Sequence, residues 1–183
     1  MRPAGVGSSR RRTVKTLIAW LACSLTLIAA PVGAQVPRVL GVWELDPAAS
    51  SIPQGFPLAS ETRSYDLRND GYLVNLVIRK LANGRPDFIQ IASKSDGKDY
   101  SQYQSGLLAN FQIDGTKTPV TYSESVIDDH AVNVIAKVNG QIINKGVRRI
   151  DADGKTMTID VVQIDQSGKE TPIKLVFKRV ASK

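Results

Sequence analysis

Apolar and polar residues alternate with a period of two along much of the chain. Between residues 72 and 80 the even positions Tyr72, Val74, Leu76 and Ile78 are apolar, while Asn75 and Arg79 fall on the odd ones. Val132, Val134, Ala136 and Val138 share a face in the same way, as do Ile173, Leu175 and Phe177. Such alternation predicts strands half-buried on one side of a sheet. Segments rich in Val, Ile, Thr and Tyr at 39–45, 61–68, 87–93, 120–127, 141–150 and 156–165 predict further strands, and 98–104 and 108–113 are shorter and less sharply patterned. No stripe of helical period occurs beyond residue 35.

The punctuation between these segments is regular. Asp70-Gly71, Asn83-Gly84, Asp96-Gly97, Asp114-Gly115, Asn139-Gly140, Asp153-Gly154 and Ser167-Gly168 follow one another, mostly 13 or 14 residues apart. Asp128-Asp129-His130 divides the one long gap. Pairs of this kind supply the turns of tight hairpins. The expected fold is all-β: an up-and-down antiparallel barrel of 8–10 strands, closed because closure removes exposed edges. An antiparallel β-sandwich is the alternative, although it needs crossings that the short turns do not provide. The exception to the short turns is the Pro-rich loop 46–60. Pro47, Pro53 and Pro57 forbid a regular strand there, leaving room for a helical turn near Ala48-Ala49 and an isolated Phe56.

Residues 1–34 read differently. Arg10, Arg11, Arg12 and Lys15 precede an uncharged, mainly apolar run from Leu17 to Ala30; Pro31 breaks it, and Val32-Gly33-Ala34 offers small residues for cleavage. This predicts a signal peptide at 1–34, cut after Ala34, and a domain at 35–183 that is periplasmic or secreted. The run is too short to span a bilayer, so the exported chain is expected not to cross one. Ser9 to Lys15 resembles a twin-arginine signal, but Thr13 stands where such signals prefer a hydrophobic residue. Cys23 follows Leu21-Ala22 as in a lipoprotein site, with Trp20 where leucine is usual, so lipidation is not expected. Removing the leader removes five basic residues and the sole cysteine, leaving 19 basic against 17 acidic side chains. The basic character of the whole chain is then mostly that of its leader, and nucleic acid is not an expected partner.

Gly41-Val42-Trp43 on the first strand resembles the Gly-x-Trp signature that opens the lipocalins and the intracellular fatty-acid-binding proteins. With Gly41 to Ser50, Ser95-Asp96-Gly97-Lys98-Asp99-Tyr100 and Asp153-Gly154-Lys155-Thr156-Met157-Thr158, the chain is similar to small exported bacterial lipocalin-like proteins of unassigned function, members of the calycin group of barrels. The resemblance implies that Trp43 closes the narrow end of the barrel beneath a late basic residue, Arg179 or alternatively Arg149. It also departs from the fatty-acid-binding proteins, whose helix pair after the first strand has no room among the three prolines.

Candidate chemistry is sparse. His130 sits in a turn, and a lone histidine makes neither a triad nor a zinc site. Asp151-Ala152-Asp153-Gly154 lacks the first ligand and the closing glutamate of a calcium loop. No metal, cofactor or catalytic set is expected, and the chain is read as not an enzyme. The candidate ligand-binding residues are instead those of the barrel interior: Phe56 at the mouth, then Tyr65, Leu76, Ile78, Tyr122, Val134 and Phe177 on inward faces. Leu67, Val74, Val120, Val126, Ile159, Val161 and Leu175 are placed on the same faces. Arg63 and Glu124 share the faces of Tyr65 and Tyr122. Either they form a polar handle for a ligand, or they lie at strand ends or on misassigned faces, because an inward charge must be paired or wet. The expected function is binding of a small apolar ligand or lipid inside the barrel. A filled barrel serving as a structural or interaction protein of the cell envelope is the alternative.

Overall fold

A computed structural model describes residues 36–104 and 120–180. The leader at 1–34 and the segment 108–113 therefore lie outside the described residues. After one helical turn, α1 (Val36–Val39), ten strands follow: β1 (Gly41–Leu45), β2 (Leu58–Leu67), β3 (Leu73–Leu81), β4 (Pro86–Ser93), β5 (Tyr100–Gln104), β6 (Val120–Asp128), β7 (Ala131–Val138), β8 (Gln141–Ile150), β9 (Thr156–Ile164) and β10 (Glu170–Arg179). Each pairs antiparallel with its sequence neighbours, and β1 pairs with both β2 and β10, so the sheet closes into an up-and-down barrel. Trp43 lies opposite Arg179 on one side and Arg63 on the other. One closed sheet excludes the two-layer sandwich.

The turns explain why the glycine pairs recur. The side chains of Asp70, Asn83, Asp96 and Asp153 each accept a hydrogen bond from the backbone N–H two residues on, at 2.9–3.3 Å, which holds the turn around the intervening glycine. Asn139 and Gly140 both have positive φ, 51° and 77°, which matches the right-handed twist of the β7–β8 hairpin.

Several boundaries differ from the sequence expectation, those of β1 and β2 among them. Residues 36–39 form a helical turn, so β1 begins at Gly41 rather than Val39. The strand after the Pro-rich loop begins at Leu58, directly after Pro57, where proline's missing donor no longer matters. The loop itself is laced to β10: Asp46 and Ser51 donate backbone hydrogen bonds to Val176 and Lys174, and Ser50 Oγ accepts from the Val176 N–H.

The main core fills the end of the barrel nearest α1. Trp43, Phe177 and Met157 are wholly buried there with Val39, Ile150, Leu73 and Tyr65. Burial of side chains this size stabilises by roughly 1.5–3 kcal/mol each.

Candidate functional site

At that closed end, Arg179 covers the indole of Trp43, with Cζ 4.1 Å from the ring centroid. Its guanidinium donates to the carbonyls of Leu40, Arg38 and Gly154. Trp43 Nε1 donates to the Val39 carbonyl at 2.8 Å, which is why the short helix packs beneath the barrel. Gly41, with φ 108°, leaves space for Arg179, since a Cβ there would lie 3.1 Å from its Nη1. Arg149 is instead exposed, 3.9 Å from Asp128.

Above this floor lies a cavity of about 180 Å³. Its walls are largely apolar: Val77, Ile89 and Ile91 on one side, Val134, Ile159 and Leu175 on the other. Phe56, carried by the Pro-rich loop, lines it as well, as do Tyr122 and Val161. Gln102, Asn144 and Gln163 add polar groups, and Arg63, Arg79 and Arg148 add three guanidiniums.

The guanidiniums are held by two buried carboxylates. Glu61 on β2 accepts from Arg63 Nε at 2.5 Å and from Arg79 Nε at 2.7 Å. Arg79 Nη1 also lies 3.7 Å from Asp87. Burial pushes the Glu61 carboxyl up, but its two guanidiniums outweigh that and hold it below the usual carboxylate value. Arg63 is correspondingly held above the usual arginine value, its own burial outweighed by Glu61. On the opposite wall, Glu124 takes a bidentate pair from Arg148, at 2.7 and 3.0 Å. It also accepts from Tyr122 Oη at 2.6 Å and Ser95 Oγ at 3.3 Å. Burial and the adjacent Glu124 raise the Tyr122 phenol well above its usual value, so it stays protonated. The Arg148 guanidinium stacks over the Tyr65 ring at 5.0 Å.

Several sequence assignments need correction. Ile78 is 54% exposed, and Leu76 and Val74 lie with it on the outer face of β3. The inward row is Leu73, Asn75, Val77, Arg79 and Leu81. That row carries three apolar residues of its own, Leu73, Val77 and Leu81, and the charge it brings inside is paired, because Glu61 lies opposite Arg79 across the β2–β3 ladder. Leu67 and Val126 are also exposed, near strand ends. Arg63 and Glu124 do point inward, each paired. Phe56, Arg63, Tyr122 and Val134 come together on the cavity. Tyr65 and Phe177 lie in the core beneath it, with Arg63 Cζ 5.2 Å over the Phe177 ring.

Sequence reasoning missed Arg79, Arg148 and Glu61. The available signal was the pair of charged residues two apart on β2, Glu61 and Arg63, which share a face. Among the described residues, no group of three or more His, Cys, Asp or Glu side chains is arranged to hold a metal ion. No helix among them is long and apolar enough to cross a membrane. The sequence matches no protein-family model and no curated protein at a significant level.

Proposed function

We propose that the protein is an exported, non-catalytic binder that holds a small, mainly apolar molecule with a polar end inside its barrel, in the manner of the lipocalin-like proteins it resembles. The observation that carries this reading is the cavity under Phe56, where apolar walls meet arginine side chains. Pockets with a mostly apolar lining and a few placed polar groups are the usual form of small-molecule sites. The buried carboxylates support a binding role over catalysis. Glu61 and Glu124 are each engaged by guanidiniums, which leaves neither free to act as an acid or base.

The test begins with the purified chain 35–183, extracted with organic solvent and examined by mass spectrometry. A compound should be recovered that rebinds and raises the melting temperature as its concentration rises. Val134→Phe, which fills the cavity, should abolish rebinding while the strand content is retained. If nothing is extracted and a broad small-molecule panel leaves melting unchanged, the second reading takes its place: a filled barrel that serves as an interaction protein. The cavity volume favours that second reading, because 180 Å³ lies below the roughly 300 Å³ at which ligand pockets usually begin.

A further inference from the structure

Glu61 is one carboxylate shared by two arginines. Each of its oxygens takes one Nε: Oε1 that of Arg63, Oε2 that of Arg79. This arrangement fixes both guanidinium planes and leaves their Nη ends for other partners. Arg79 has a second acid nearby, Asp87 at 3.7 Å, whereas Arg63 has Glu61 alone among the ion pairs of the described residues. The Phe177 ring backs the Arg63 guanidinium at 5.2 Å. Both arginines line the cavity, while Glu61, Asp87 and Glu124 do not. The cavity therefore meets positive, donor-bearing groups whose counter-charges stand behind them. A planar acid fits such a fork, because two N–H groups can bind its two oxygens and the low dielectric strengthens the pairing.

Size adds a second restriction. A chamber of about 180 Å³ is close to the roughly 150 Å³ cavity that accommodates benzene in an engineered protein. It suits a ring or a short branched chain rather than an extended acyl chain.

We infer that the interior selects a compact organic acid, with its carboxylate between Arg63 and Arg79 and its apolar body among Ile89, Val134 and Leu175. This rests on the interior-binding reading above and narrows it to one ligand class.

Three probes separate the components of the inference when titrated into the chain 35–183 carrying ¹³C-labelled Ile and Val methyl groups. Benzoate has the acid and the size; nitrobenzene has the same shape without the charge; palmitate has the acid on a long chain. Benzoate should move the Ile89, Ile91 and Val134 methyl signals and bind at least about tenfold more tightly than nitrobenzene, the margin expected of a charge-assisted hydrogen bond. Palmitate should not compete. Arg63→Lys keeps the charge but loses the fork, and should reduce the benzoate advantage over nitrobenzene to about twofold. Nitrobenzene binding as well as benzoate would overturn the acid assignment and leave interior binding standing. Palmitate binding more tightly than benzoate would overturn the size restriction alone. If no probe moves those methyl signals, both the ligand class and the interior-binding reading fall. The probe series on the unsubstituted chain decides the matter even if the variant does not fold.

Discussion

Arg179 joins three segments that are remote in the chain: α1 and its following residue through the Arg38 and Leu40 carbonyls, the β8–β9 turn through Gly154, and β1 through the Trp43 ring. Arg179→Ala removes all of these at once and is expected to destabilise the fold by about 3 kcal/mol, read from urea unfolding followed by circular dichroism. Arg179→Lys, which keeps charge but not the forked donors, should cost roughly half as much. Glu61 has a different signature. Its carboxyl is held below the ordinary value of 4.5, so the folded chain binds fewer protons there than the unfolded one. Its stabilising contribution is therefore complete above pH 4.5 and is lost as pH falls through the depressed folded value. Glu61→Gln should flatten that acid limb of the stability curve. At neutral pH it should cost about 3–5 kcal/mol, because two buried guanidiniums lose their partner. Urea midpoints measured from pH 7 down to pH 3 check both statements.

At the scale of single elements, Gly146 limits what β8 can carry. A Cβ there would lie 2.0 Å from the Asp160 carbonyl oxygen and 2.6 Å from Val161 Cα, so the backbones of β8 and β9 approach too closely for any side chain. Gly146→Ala is expected to part the strands locally and destabilise by at least about 3 kcal/mol. Amide exchange should then be fastest around Gly146 and Val161. The neighbouring glycine turns were legible in the sequence because their chemistry is local: an Asp or Asn side chain and the N–H two residues on suffice. The facing of β3 was not legible. Apolar residues stand at both parities, Val74, Leu76 and Ile78 on one face and Leu73, Val77 and Leu81 on the other, so the strand's own pattern does not choose between them. What lets Arg79 point inward is Glu61, eighteen residues earlier and opposite it in the ladder. A strand's own pattern cannot report a partner supplied by another strand.

For the molecule as a whole, closure follows from nine antiparallel pairings of successive strands and the pairing of β1 with β10, and alternation and turn spacing made that architecture readable. The cavity was readable only in part. Phe56, Arg63, Tyr122 and Val134 could be nominated from loop position and strand parity, but Arg148 and Arg79 enter through cross-strand ion pairs. The Pro-rich loop lies against β10 and brings Phe56 to the cavity, so one departure from the hairpin rhythm supplies part of the site. Export belongs at this scale too. If residues 1–34 are a leader, the envelope form of the protein should begin at Gln35, as read by N-terminal sequencing after cell fractionation. Recovery of the full-length chain from the cytoplasm would remove the exported part of the proposal.

Trp43 has an optical consequence. In a chain that begins at Gln35, and so lacks Trp20, it is the sole indole, and it is wholly buried beneath Arg179, outside the cavity lining. Its emission should be blue-shifted and shielded from acrylamide in the native state. That makes it a faithful gauge of whether the barrel's base is intact. A guest resting above it can arrive or leave without changing the colour of that light, so occupancy has to be followed through another reporter.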